Sequence, residues 1–155
     1  MAVRRVPEEY PDIQSAADAS APGDRIEVGA SVLSSNAVVP IDGLSIALPG
    51  SFFSGGAFTL GAGVRSLTVS GSTLFSATGN DSGNVIVGGT ASGYLYGLGG
   101  DDVLVGGPGG ADWMEGGTGS GTYEVDDTAL PGGQGGGDRV PLFLGDRVVE
   151  RPDEG

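Results

Sequence analysis

The stretch that decides the fold runs from Gly79 to Glu124. Read in nines, it gives Gly-Asn-Asp-Ser-Gly-Asn-Val-Ile-Val (79–87), Gly-Gly-Thr-Ala-Ser-Gly-Tyr-Leu-Tyr (88–96) and Gly-Leu-Gly-Gly-Asp-Asp-Val-Leu-Val (97–105). A ten-residue unit follows, Gly-Gly-Pro-Gly-Gly-Ala-Asp-Trp-Met-Glu (106–115), and the last is Gly-Gly-Thr-Gly-Ser-Gly-Thr-Tyr-Glu (116–124). Each unit joins a glycine-rich turn to a three-residue strand, and the middle strand position is always large: Ile86, Leu95, Leu104, Met114 and Tyr123. Glycine in the turns permits positive φ and lets neighbouring turns approach closely. Two such units make one coil, so every second turn stacks on the same edge.

Working outward, 21 of the 32 glycines in this 155-residue chain lie within residues 79–137, so they mark turns rather than general looseness. Upstream, short apolar runs at Arg25–Val28, Ala37–Val39, Leu44–Leu48, Ala57–Leu60 and Ser66–Val69 are separated by Gly, Ser, Pro and Asp, the punctuation of strands and turns. None of those turns is a two-residue Asn-Gly or Asp-Gly hairpin between alternating strands, although Asp42-Gly43 comes nearest. Stacked parallel coils are therefore expected rather than an antiparallel meander. Residues 10–24 read as one short helix started by Pro11 or Asp12, with Ile13, Ala16, Ala17 and Ala21 as its apolar stripe and Pro22-Gly23 as its stop.

Composition excludes much chemistry. The chain has no cysteine, no histidine and no lysine, and 20 acids against seven arginines give a net charge of −13. Thiol nucleophiles, disulfides, zinc fingers, Schiff bases and P-loops are thereby absent, and a His-Glu-x-x-His protease site is impossible. An acidic chain without a basic stripe is a poor partner for nucleic acid. It contains no apolar run long enough to span a membrane. Carboxylates, hydroxyls and carbonyls remain, and these suit hard cations.

The repeat follows G-G-x-G-x-D-x-U-x, where U is the large apolar residue, and so resembles the nonapeptide of RTX (hemolysin-type) calcium-binding β-roll proteins. Leu60-Gly-Ala-Gly-Val-Arg-Ser-Leu-Thr-Val-Ser-Gly before the block, and Gly145-Asp-Arg-Val-Val-Glu after it, are similar to the connector and exit strand of such proteins. Residues 13–28, carrying Ile13, Gln14, Ala17, Asp18, Ala19, Pro22, Gly23, Asp24, Ile26 and Val28, resemble the N-terminal cap of pectin-lyase-like right-handed parallel β-helix proteins. An ordinary amphipathic helix before a strand gives the same pattern. The fold these resemblances imply is all-β, a right-handed parallel β-helix/β-roll solenoid with a short N-terminal capping helix. Residues 1–78 would form helix-capped coils, 79–127 the nonapeptide roll, and 128–155 a Gly/Pro-rich loop with an acidic exit strand and tail. In such families the chain continues past the exit strand, which suggests a trimmed copy here.

The resemblance also implies Ca²⁺ held between stacked turns. The ligand set it implies here is Asn84, Asp101, Asp102, Asp112 and Asp127, with the backbones of Gly97, Gly99, Gly107 and Gly109. The sequence departs from the family at the sixth position, which reads Asn84, Gly93, Asp102, Asp112 and Gly121, so only two of five are aspartate and no two face each other. One or two weak sites are expected, near the millimolar end of the calcium range. The same glycines and U residues would serve a solenoid that binds no metal, with the aspartates as solvated turn residues. One feature favours the metal. Residues 79–127 hold eight acids with no basic residue between Arg65 and Arg139, a repulsion that a cation relieves.

The expected function is a non-catalytic calcium-binding module of a leaderless, type I-exported protein, located outside the cell or at its surface. Extracellular polysaccharide or matrix is a further partner class. Tyr94, Tyr96 and Trp113 flank U positions and should face outward as a possible sugar platform, with edge protection or packing against residues 138–150 as the plainer role. The alternatives are a remnant or accessory module of a polysaccharide-active β-helix enzyme, and an adhesive solenoid indifferent to calcium.

Overall fold

The computed structural model describes residues 1–29, 35–48, 56–72, 74–108, 112–125 and 147–150. Within them the chain is a parallel β-solenoid of two sheets. The first sheet holds β1 (Val3–Val6), β2 (Arg25–Val28), β4 (Leu44–Ala47), β6 (Ser66–Ser70), β8 (Val85–Val87), β10 (Val103–Val105), β12 (Thr122–Val125) and β13 (Arg147–Glu150), in that order. The second runs β3 (Ser35–Val39), β5 (Gly56–Leu60), β7 (Phe75–Thr78), β9 (Gly93–Tyr96) and β11 (Trp113–Glu115). Every pairing is parallel, and all but β1–β2 and β12–β13 join strands two apart in sequence, because each coil between them lays one strand in each sheet. The nine-residue period sets the register. Val85 pairs with Val103, eighteen positions on, and the extra residue of the ten-residue unit appears as the nineteen from Tyr94 to Trp113.

The core is a set of single-file columns. One runs Leu44, Leu67, Ile86, Leu104 and Tyr123 through the first sheet, and another runs Ala37, Phe58, Ala77, Leu95 and Met114 through the second. All five U residues are fully buried. β6 pairs directly with β8, so the upstream coils and the nonapeptide units share one continuous sheet.

The N-terminal helix α1 (Ile13–Asp18) is shorter than the expected span. Asp12 caps it by accepting a hydrogen bond from Ser15 N at 2.7 Å. It ends at Ala19, well before Pro22-Gly23, where Gly23 turns the chain into β2 with φ +81°. Ile13, Ala16 and Ala17 are buried as anticipated, whereas Ala21 lies beyond the last helical turn and is exposed. The helix stands beside β3, and the Gln14 side-chain amide pairs with both backbone groups of Val38. Val38 N donates to Oε1 at 2.7 Å and Nε2 donates to Val38 O at 3.0 Å. The side chain thus acts as one residue of a neighbouring strand.

Strand β1 escapes a reading of the sequence because its only buried residue is Val6. Its Arg4 instead anchors the first coil, donating to Asp24 Oδ2 at 3.1 Å and to the Tyr10 hydroxyl at 2.7 Å. Asp24 also accepts from Ala2 N at 2.5 Å and from Ala21 N at 3.1 Å. Those two backbone donors, with the smaller help of Arg4, hold its carboxyl below the usual carboxylate range against the opposing effect of burial. Among the described residues no helix is long and apolar enough to cross a membrane.

Candidate metal centre

The turns fall on two edges of the solenoid. Turns 79–84, 97–102 and 116–121 lead into the first sheet, and turns 88–93 and 106–112 lead into the second. This separates the expected ligand set. Asn84, Gly97, Gly99, Asp101 and Asp102 share one edge, while Gly107 and Asp112 lie on the other. Gly109 and Asp127 lie outside the described residues.

Asp102 is the most unusual of these groups. It is 1% exposed, and its Oδ1 accepts from Asn84 N in the coil below at 2.8 Å. Its Oδ2 is buried and has no hydrogen-bond partner among the described residues. A β-carbon at Gly97 would lie 2.1 Å from that oxygen and 2.7 Å from Gly116 O of the turn above. A carboxylate oxygen and a carbonyl oxygen from successive turns therefore converge on the bare face of Gly97. Two acceptors in that position call for a proton or a cation between them. Burial pushes the Asp102 carboxyl up to about 6, with the neighbouring Asp101 charge adding to the rise and the Asn84 N–H opposing it.

Around this point the stacked turns are held by direct contacts. Asp101 is exposed and its Oδ1 accepts from Ser120 N at 3.0 Å. Gly99 forms a parallel bridge with Thr118, Gly100 N donates to Thr118 O at 2.9 Å, and Thr118 N donates to Leu98 O at 2.9 Å. On the opposite edge, Gly93 N donates to the buried Asp112 Oδ1 at 2.5 Å. Gly107, at φ +98°, sits over the carbonyls of Gly88 and Gly89. Among the described residues no three acids gather closely enough to hold a metal by themselves. A hard cation at Asp102 would rely on one carboxylate, turn carbonyls and water, and the bare face of Gly97 fits that donor set.

Two sixth positions have been filled in other ways that the sequence reading missed. At Gly121 a β-carbon would lie 2.7 Å from the Tyr123 hydroxyl, and that hydroxyl accepts from Gly116 N at 2.9 Å. The U residue of the last unit has reached back into the space of its missing carboxylate. At Gly93 a β-carbon would lie 2.7 Å from the ring of Phe75, one coil earlier. The signal available was a glycine at position six beside an aromatic at U, or one coil back.

Asn80 was missed as well. Its Nδ2 donates to Gly61 O at 2.9 Å and Val64 O at 2.7 Å, and its Oδ1 accepts from Ser82 N at 2.9 Å. Asn84 joins it: Oδ1 accepts from Asn80 N at 2.8 Å, and Nδ2 donates to Val64 O at 3.1 Å. On the outer face of the second sheet, Tyr94 is 46% exposed, and Tyr96 and Trp113 are partly exposed. Trp113 is the register partner of Tyr94. The exit strand β13 joins the first sheet, the one opposite these rings. No family model, curated protein or solved structure matches the chain.

Proposed function

We propose that this chain is a calcium-binding β-roll module of the RTX type, without catalysis, carried by an exported protein and stabilised by Ca²⁺ outside the cell. The observation that carries the reading is the pairing of Asp102 Oδ2 with Gly116 O across the bare face of Gly97, within a nine-residue register. Bound Ca²⁺ would supply positive charge between these two oxygens. Asp102 contributes the carboxylate, and the turns above and below fix the spacing. With one carboxylate and no second acid opposite, the affinity belongs at the weak, extracellular end of the calcium range. The deciding experiment is far-UV circular dichroism and thermal melting in calcium and in chelator. A calcium-driven rise in melting midpoint, absent from Asp102→Asn, supports the reading. Identical melting in chelator and in calcium up to about 10 mM, beyond the weak extreme of biological sites, sinks it.

A second reading, contact with extracellular polysaccharide, is favoured by the outward placement of Tyr94, Tyr96 and Trp113 on one sheet face. Retention on insoluble glycans, lost in Tyr94→Ala, would support it. Turnover of uronic-acid polymers by the purified chain would replace both readings with an enzyme.

A further inference from the structure

We propose that the Asn80–Asn84 pair is a built-in substitute for a cation, so that the coils up to turn 79–84 hold together without metal and any metal dependence begins at turn 97–102. The inference deepens the reading of Asp102 as a cation ligand, and only its calcium arm rests on that reading.

The geometry is that of a cation site with the cation replaced by amide hydrogens. Between turns 61–65 and 79–84, Gly61 O and Val64 O converge on Asn80 Nδ2 at 2.9 and 2.7 Å, and Asn84 Nδ2 approaches Val64 O at 3.1 Å. The two amide oxygens are used in turn. Asn84 Oδ1 takes the Asn80 N–H, and Asn80 Oδ1 takes the Ser82 N–H at 2.9 Å and the Asn84 side-chain N–H at 3.3 Å. Asn84 is 1% exposed, so its buried amide has to find its partners within the stacked turns, with the partly exposed Asn80 beside it. These amide contacts need no charge.

One coil further on, both amides are gone. The eighteen-residue register places Leu98 over Asn80 and Asp102 over Asn84. The apolar side chain offers no donor, the carboxylate brings an extra acceptor, and the result is an Asp102 Oδ2 without a hydrogen-bond partner among the described residues. The difference between a turn that closes itself and a turn that lacks positive charge thus comes down to two side chains.

The test is Asn84→Asp in the full chain, with Asn80→Ser as a second variant, each melted in chelator and in about 10 mM calcium, the weak extreme of biological sites. In Asn84→Asp the carboxylate loses the donor to Val64 O and lies in register with Asp102. Its melting midpoint in chelator should fall by about 5–10 °C. Calcium should restore most of that loss, a shift at least twice that of the wild-type chain. Asn80→Ser should fall by a smaller amount that calcium does not restore, since it adds no carboxylate. If Asn84→Asp is unfolded in chelator, its calcium titration by circular dichroism still reads the restoration. Wild-type melting of Asn84→Asp in chelator, or a loss that calcium leaves unrestored, overturns the inference. A wild-type chain indifferent to calcium beside an Asn84→Asp chain that responds to it would reject Asp102 as a native ligand and uphold the amide substitution.

Discussion

Turns 79–84 and 97–102 lie one above the other and lead into paired strands, yet they balance their buried polar groups in opposite ways. The lower turn uses two asparagines, whose amides meet the carbonyls of the coil beneath at 2.7–3.1 Å. The upper turn has Leu98 and Asp102 in the same places and leaves a buried carboxylate oxygen without a hydrogen-bond partner among the described residues. A solenoid backbone is tolerant enough to repeat itself over either solution. What the side chains decide is whether the stack is complete as a polypeptide or needs something from solution.

The comparison is sharpest where it should vanish. A β-carbon at Gly79 would meet Asn84 Oδ1 at 2.2 Å and Gly97 O at 2.4 Å, and one at Gly97 would meet Asp102 Oδ2 at 2.1 Å and Gly116 O at 2.7 Å. Gly79→Ala and Gly97→Ala should each cost about 3 kcal/mol, because backbone has to move in both. Chemical denaturation in chelator should rank them as equals. Only Gly97→Ala should also abolish a calcium-induced rise in midpoint, and equal calcium shifts in the two variants would mean that the cation lies elsewhere.

Next in size is Asp102→Asn, which gives the upper turn the neutral amide of the lower one. Burial pushes the wild-type carboxyl up to about 6 in the fold, from an ordinary value of 3.8. Its contribution to stability is therefore full below about pH 4 and is lost as the pH rises through 6, by about 2–3 kcal/mol in chelator. Asp102→Asn should flatten that limb and melt higher than wild type at pH 7. The opposite limb belongs to Asp24, whose lowered titration withdraws stability as the pH falls below about 3.8. A melting midpoint in chelator that is flat from pH 4 to 7 would show that Asp102 Oδ2 is not the strained group.

Smaller effects probe the other substitutions. Tyr123→Phe removes the acceptor for Gly116 N and should cost about 1 kcal/mol, read as a lower denaturation midpoint. A value near zero would mean that the ring alone fills the space above Gly121. Leu98 holds φ +77°, a left-handed conformation that asparagine tolerates better than leucine. Leu98→Asn should gain about 0.5 kcal/mol, and a loss instead would show that Leu98 is held there by contacts of its side chain.

The fold was legible because its period is imposed on the residues that cannot vary. U positions must be apolar to fill a one-residue-wide core, turn positions must be small to stack, and both repeat every nine. The candidate centre was legible only in part. Asp102 stood out by position, but its stranded oxygen depends on Gly97 and Gly116, and Asn80 occupies a place where the repeat pattern leads one to look for glycine. Phe75 acts on Gly93, a full coil away in sequence, and Tyr123 reaches back to Gly121 and Gly116 of its own unit. β1 was invisible for a different reason, because an edge strand with one buried residue carries no periodic signal. The helix was overextended because Pro22-Gly23 marks the turn into β2 and not the end of α1.

Stacking parallel coils is an open-ended way to build a protein, since each added coil presents the template for another. An uncovered edge of the second sheet would accept a strand from any neighbouring chain. At β3 that template is interrupted by one side chain, the Gln14 amide bound to Val38 N and O. With a single residue the chain gives its second sheet a first strand, and so a beginning: what would otherwise be the growing tip of a fibre is here the terminus of a molecule.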